Sequence, residues 1–183
     1  MDTAIAALAA PEEDARARAA AWLYDAGRAA ALEATAAWHA DEELGALFEG
    51  HPTVGVAVHP ATFERIRAAN GWPALADVPP DQDAREFELE FPGNVSLDIL
   101  TTGEPPGEGA IARFLQRRGE GIQQVEFPVK DVDRATAILR ARFLLFPVYP
   151  DTRRGANGTR VNFFLVTTQA GDKVLVELVG KGA

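Results

Sequence analysis

The feature that most constrains this chain is a pattern that occurs twice. From residue 53, TVGVAV alternates as a strand and PATFERIRAAN reads as a helix ending before Gly71. PALADVP then reads as a weak strand, and AREFELEF and VSLDILT as two strands joined by the tight turn PGN. From residue 121 the order returns. IQQVEFPV is a strand, DVDRATAILRARF a helix with Asp131 as N-cap, and LFPVYP a strand. After the loop DTRRGANG come TRVNFFLVT and KVLVELV, strands joined by the turn QAGD. Val54 corresponds to Val125, and Asp98 to Glu177. An internal repeat of this size decides the fold: two βαβββ units, about residues 53–102 and 121–180, within a domain 51–183. Residues 103–120 are a Pro/Gly-rich linker with a short helix near AIARFLQRR.

Residues 1–50 differ from the rest. They are rich in alanine and predict a helical extension. Pro11 suits a first helical turn, and Glu12, Glu13 and Asp14 sit where the helix dipole favours acid. Ala15, Ala19, Trp22, Ala26, Ala30, Ala34, Ala37 and Trp38 recur at three or four residues as one apolar stripe, with Gly27 a possible break and DEELGALFEG a short second helix. The stripe packs against the body of the protein or against a second copy.

Composition excludes several classes of function. The 183 residues are 47% hydrophobic and 25% charged, as in a soluble globular protein, with no apolar run long enough to span a bilayer. The start, MDTAIAALAA, lacks a positive n-region, so a cytoplasmic protein is expected. With no cysteine there is no disulfide, thiolate metal site or cysteine nucleophile. A net charge of -9 repels a phosphate backbone, so neither nucleic acid nor membrane is the expected partner.

The segments IARFLQRRGEGIQQVEFPVKDVDRATAILRAR, RRGANGTRVNFFLV and KVLVELV resemble the vicinal oxygen chelate superfamily, which includes glyoxalase I, bleomycin-resistance proteins, extradiol dioxygenases and methylmalonyl-CoA epimerase. The likeness is greatest to the epimerase group. It covers residues 110–180 well, 53–102 more weakly, and 1–50 not at all. It implies an α+β fold in which tandem βαβββ units curve into a half-open barrel, with the site inside the curve. It also implies metal ligands on the first and last strand of each unit, a metal that polarises a substrate oxygen, and a carboxylate that moves a proton.

Carried onto this sequence, the four ligand positions hold Thr53, Asp98, Gln124 and Glu177. Glutamines 123 and 124 stand where the family has two histidines. His51, two residues before Thr53, could reach in if its strand extends back past Pro52. A metal site of Asp98, Gln124, Glu177 and His51 is rich in oxygen, so one divalent ion such as Mg, Mn or Co is expected rather than Zn. Glu177 and Asp98 are the candidate catalytic groups.

Alternation adds Ser96 and Glu126 to the cavity side. On AREFELEF either Glu86, Glu88 and Glu90 or Phe87, Leu89 and Phe91 face inward; burial of one face favours the phenylalanines. Inward glutamates would make the cavity acidic and would call for a cation, a shared proton, or pairing with Arg85 or Arg160. Arg118 and Arg154, with Arg117 and Arg153, could hold an anionic group such as an acyl-CoA, though exposed arginines are also ordinary solubilising residues. Thr53, Glu126, Ser96, Arg118 and Arg154 are thus the candidate substrate contacts. His39 and Glu43 have the i, i+4 spacing of a metal pair, which surface helices carry routinely, and His59 reads as a cap or a solvated residue.

The leading expectation is an epimerase-like protein, an isomerase or lyase abstracting a proton beside a carbonyl, with a degenerate metal site, in a homodimer. The alternatives are a non-catalytic small-molecule binder or sequestering protein of the same fold, and an assembly protein whose N-terminal helices fill the cavity mouth or pair two subunits.

Overall fold

The computed structural model describes residues 1–104 and 107–182; Pro105 and Pro106 of the expected linker lie outside the described residues. The alternating segments form strands β1 (Thr53–Ala57), β2 (Ala84–Phe91), β3 (Val95–Thr102), β4 (Gly121–Pro128), β5 (Arg153–Arg154), β6 (Arg160–Thr167) and β7 (Lys173–Gly180). They make one mixed sheet in the order β2-β3-β1-β4-β7-β6-β5, curled into a half-barrel. β1 lies parallel to β3, and β4 parallel to β7. The two halves meet where β1 runs antiparallel to β4, and there Val54 faces its counterpart Val125.

Period-two alternation sends one set of side chains to the outer face of the sheet. Val54, Val56, Leu97, Ile99, Val125, Val176 and Leu178 are buried there. The helices that cover them are α2 (Glu13–Ala34), α5 (Pro60–Ala69) and α7 (Val132–Phe143), whose first turn is capped by the Asp131 carboxylate accepting from the Arg134 N–H at 2.9 Å. Phe87 and Leu89 join this layer, with Phe87 edge-on to Phe63 of α5 at 4.7 Å.

Two expected strands do not form. Residues 73–79 and 145–150 are irregular. Each keeps one ladder-like bond, Ala76 N–H to Glu86 O at 3.0 Å and Val148 N–H to Phe163 O at 2.7 Å. Pro73, Pro79, Pro147 and Pro150 have no N–H to donate, so neither segment can extend the sheet. The short β5 instead lies in the stretch read as a loop.

The expected linker helix is α6 (Ala110–Arg118). The helical extension comprises α1 (Asp2–Ala7), α2, α3 (Ala36–Ala40) and α4 (Glu42–Gly45). It packs on the body of its own chain, on the face away from the cavity; it does not fill the cavity mouth. The buried stripe of α2 is Ala19, Ala20, Leu23, Tyr24, Gly27 and Ala31; it shares Ala19 with the expected one but is rotated from it, and Trp22 is 50% exposed. Alanine-rich helices have weak stripes, because alanine tolerates either face; the tertiary contact decides. Gly27 does not break α2. A Cβ there would lie 2.7 Å from Val54 Cγ1, so glycine allows the helix to sit directly on β1. Gly27→Ala should therefore lower stability by about 1 kcal/mol or more despite its better helix propensity, read by urea unfolding; a gain would show that the helix can lift away at no cost.

His39 and Glu43 form no metal pair. The His39 ring stacks on Phe48 at 4.2 Å and edge-on to Phe127 at 5.3 Å, and burial lowers its pKa. Glu43 is held by Arg134 and Arg142 of α7. Among the described residues no helix is long and apolar enough to cross a membrane.

Candidate active site

The inner face of the curl lines a cavity of about 880 Å3. Pairing places its side chains in two lateral rows. One runs Glu88, Asp98, Gly55, Gln124 across β2, β3, β1 and β4. The other runs Thr53, Glu126, Glu177 across β1, β4 and β7. Gly55 is a requirement of the first row. A Cβ there would lie 2.7 Å from Gln124 Cγ, so glycine leaves the space across which Gln124 lies.

Gln124 is the hub. Its amide nitrogen donates to Glu177 Oε2 at 2.6 Å and to Glu126 Oε1 at 3.1 Å. Thr53 donates to Ser96 Oγ at 3.3 Å, and Ser96 donates to Glu88 Oε1 at 2.7 Å. Glu86 also lines the cavity, so β2 packs Phe87 and Leu89 on the helices and turns Glu86 and Glu88 to the cavity side. This corrects the favoured expectation that the phenylalanines face the cavity; Glu90 is not among the lining residues, and Glu88 and Glu90 are exposed to solvent as expected.

The result is five carboxylates, Glu86, Glu88, Asp98, Glu126 and Glu177, on one concave floor. Neither expected arginine neutralises them: Arg85 pairs with Glu64 and Glu104, and Arg160 with Asp133. Burial, then the charge of Glu88, raises Glu86 to about 7. Burial also raises Glu126 to about 7, with Glu86 and Glu88 adding to it and hydrogen bonds from Gln124 and with Asp98 opposing it. Asp98 and Glu177 lie well above the usual carboxylate range, through burial first and their acidic neighbours second.

Asp98, Gln124, Glu177, Glu126 and Thr53 thus converge as expected from the sequence. Ser96 does not line the cavity; it stands behind Thr53 and Glu88. His51 is excluded. Strand β1 starts only at Thr53, after Pro52, and His51 is exposed to solvent outside the cavity. Arg118 and Arg154 point elsewhere, and Arg113 and Arg153 line the cavity instead. Neighbours on β5 face opposite ways, so Arg153 lies over the Tyr149 ring at 4.3 Å while Arg154 reaches Asp77. Sequence reasoning also missed Gln123. A register shift opposite Gly55 and Val56 leaves Gln123 as an extra residue on β4, and both glutamines then line the cavity. A glycine inside a strand was the available signal.

The divalent ion implied by the fold finds a poor set of donors. Gln124 presents its N–H groups, not its oxygen, to Glu177 and Glu126, and so occupies the place between carboxylates that an ion would need. Among the described residues no group of three or more His, Cys, Asp or Glu is arranged to hold a metal.

Two halves meeting at β1 and β4, with an acid-lined concave face, define a protein of the vicinal oxygen chelate class. No family model matches the chain, and no curated protein matches it by sequence. Solved structures do. Methylmalonyl-CoA epimerase from Mycobacterium tuberculosis is 31% identical with a TM-score of 0.60, over 75% of this chain and 91% of that one. A methylmalonyl-CoA epimerase in complex with methylmalonyl-CoA and NH4+ is 27% identical, TM-score 0.55, over 75% and 96%. A substituted Streptomyces coelicolor methylmalonyl-CoA epimerase in complex with 2-nitronate-propionyl-CoA is 26% identical, TM-score 0.54, over 75% and 98%. The chain belongs to the methylmalonyl-CoA epimerase-like family of the vicinal oxygen chelate superfamily.

Proposed function

We propose that the chain moves a proton beside the carbonyl of a small molecule, using carboxylates in place of an imidazole-held metal. The observation that carries this reading is the floor of five carboxylates organised by Gln124. Proton abstraction needs a base whose pKa lies near the working pH, and Glu86, at about 7 and lining the cavity, has it. It also needs a donor for the enolate oxygen. A buried carboxyl that stays protonated at neutral pH can donate to an oxyanion, and burial favours the protonated form of Asp98 and Glu177. The substrate C–H bond breaks, the proton passes to the Glu86 carboxylate, and the electron pair moves to the carbonyl oxygen. Return of the proton to either face of the carbon completes an isomerisation with no net redox change.

Related structures hold acyl-CoA compounds. In this chain the exposed Arg113, with Arg153, is placed to hold the anionic tail of such a thioester at the cavity edge. The acidic floor opposes the extra carboxylate of a malonyl group. EDTA-treated protein should therefore exchange the α-hydrogen of a neutral acyl-CoA in D2O faster than that of methylmalonyl-CoA, followed by mass spectrometry. Glu86→Gln should slow exchange by about a hundredfold. Exchange that appears only on adding a divalent ion would restore the metal mechanism; binding with no exchange under either condition would leave a small-molecule binder.

A further inference from the structure

The two edges of the curled sheet are joined by a strap drawn from both units. The Asp77 N–H donates to Asn157 Oδ1 at 2.9 Å, and the Asn157 N–H donates back to Asp77 O at 3.0 Å. Gln82 Nε2 donates to Arg154 O at 2.9 Å, and Arg153 pairs with Asp81. Beside this polar strap the walls of the cavity are apolar. Leu75 comes from the first unit, and Val148, Tyr149 and Phe163 come from the second, with Tyr149 edge-on to Phe163 at 6.0 Å. Leu75 is 40% exposed and Val148 53%. Backbone bonds hold both in place: Val148 N–H to Phe163 O at 2.7 Å, and Ala76 N–H, next to Leu75, to Glu86 O at 3.0 Å. An apolar wall kept facing water is unfavourable, and the apolar part of a ligand laid against it removes that cost. The cavity, at about 880 Å3, is of a size that encloses a whole drug-sized molecule, so a short acyl group leaves most of it unfilled.

We infer that the substrate is a thioester with a medium-length apolar acyl chain, which runs from Glu86 past Leu75 to Val148 and Phe163. The bond between Ala76 and Glu86 sets Leu75 beside the group that takes the α-proton, so a substituent on that carbon starts against Leu75. The strap holds the wall of the first unit to that of the second, which gives the chain an apolar surface from both. Burial of such a chain adds affinity in proportion to the apolar area removed from water. Leu75 and Val148 are in this reading the residues that set acyl-chain specificity. The inference rests on the proton-transfer reading of the same cavity and names the class of acyl group that the site takes.

The test uses the full chain and three probes that share one tail: acetyl-CoA, butyryl-CoA and hexanoyl-CoA. Binding is read by calorimetry near neutral pH in EDTA. Affinity should rise about threefold per added methylene, and so about a hundredfold from acetyl-CoA to hexanoyl-CoA. Leu75→Ser combined with Val148→Ser should cut the ratio of hexanoyl-CoA to acetyl-CoA affinity about tenfold. That ratio is read within one preparation, so a misfolded fraction does not alter it. Leu144→Ser, at an exposed leucine outside the cavity, should leave the ratio as in wild type. A flat series, or a rise that the paired variant leaves intact, overturns the inference, and exchange of the α-hydrogen in D2O then decides separately whether proton transfer stands. A rising series that the paired variant flattens, without exchange, supports the acyl site and sinks the proton-transfer reading. If no acyl-CoA binds up to millimolar concentration, both fall.

Discussion

Raising the pH from about 5 to about 8 should destabilise this protein, and the loss should come from the cavity floor. The sign follows from the direction of the shifts. Glu86 and Glu126 titrate near 7 in the fold, and Asp98 and Glu177 well above their ordinary values, so the folded state holds protons that the unfolded chain has already released. Stability from such groups is complete below the unfolded pKa, near 4, and is lost as pH rises through the folded value. One group displaced from 4.5 to about 7 corresponds to roughly 3 kcal/mol. Because the four share neighbours, a total of one to two such increments is expected rather than four. Asp41, Glu43 and Asp133 shift the other way, held low by the Leu44 N–H, by Arg134 and by Arg160 respectively. Their contribution fades only in more acidic solution, below this window. Urea unfolding across the range should show the decline in wild type. In Glu126→Gln and Asp98→Asn it should flatten, with both variants more stable than wild type at the alkaline end. Parallel curves for wild type and variants would mean that the floor does not store this free energy.

Removal of residues 1–50 should prevent folding of the remainder. The extension covers the centre of the outer face of the sheet, where Leu23 and Tyr24 of α2 join Val54, Val125 and Val176 in one buried layer. Trp38 of α3 meets Phe164 of β6 edge-on at 5.9 Å and is 4% exposed. Stripped of this cover, β1, β3, β4 and β7 would present a contiguous apolar face to water. The truncated chain should collect in the insoluble fraction, or bind a hydrophobic dye without a cooperative transition. In the full chain, Trp38→Ala should cost about 3–5 kcal/mol by denaturant unfolding. Such a variant should keep its ligand preference below the transition, since the cavity lies on the opposite face. A truncated chain that unfolds cooperatively would make the extension an addition to a domain stable without it.

Except for the two strands that do not form and the short β5, the repeat, the alternation and the turn residues carried the strand and helix order of this protein, down to the Asp131 cap and the facing of Val54 and Val125. They also placed Thr53, Asp98, Gln124, Glu126 and Glu177 on one face, because a strand with a period of two leaves little choice of side. His51, Arg118 and Arg154 were not legible in that way. His51 precedes the first strand and Arg154 lies on a two-residue one, so alternation has no run of residues over which to act, and Arg118 ends the helix Ala110–Arg118, where strand alternation does not apply. Residues 73–79 read as a weak strand and 145–150 as a strand, and only the assembled sheet decided that they would wall the cavity instead of widening it.

By itself, then, the sequence determined the fold class, the doubled unit and the oxygen-rich character of the site. Those follow from local periodicity and residue chemistry. The tertiary structure decided which face of α2 is buried, that Glu86 and Glu88 of β2 face the cavity while Phe87 packs on α5, and that Gln123 joins Gln124 through a bulge. Those depend on what lies across each surface. A neighbour distant in the chain, covering or uncovering one side of an element, sets the free energy of burial, and no local pattern contains that information.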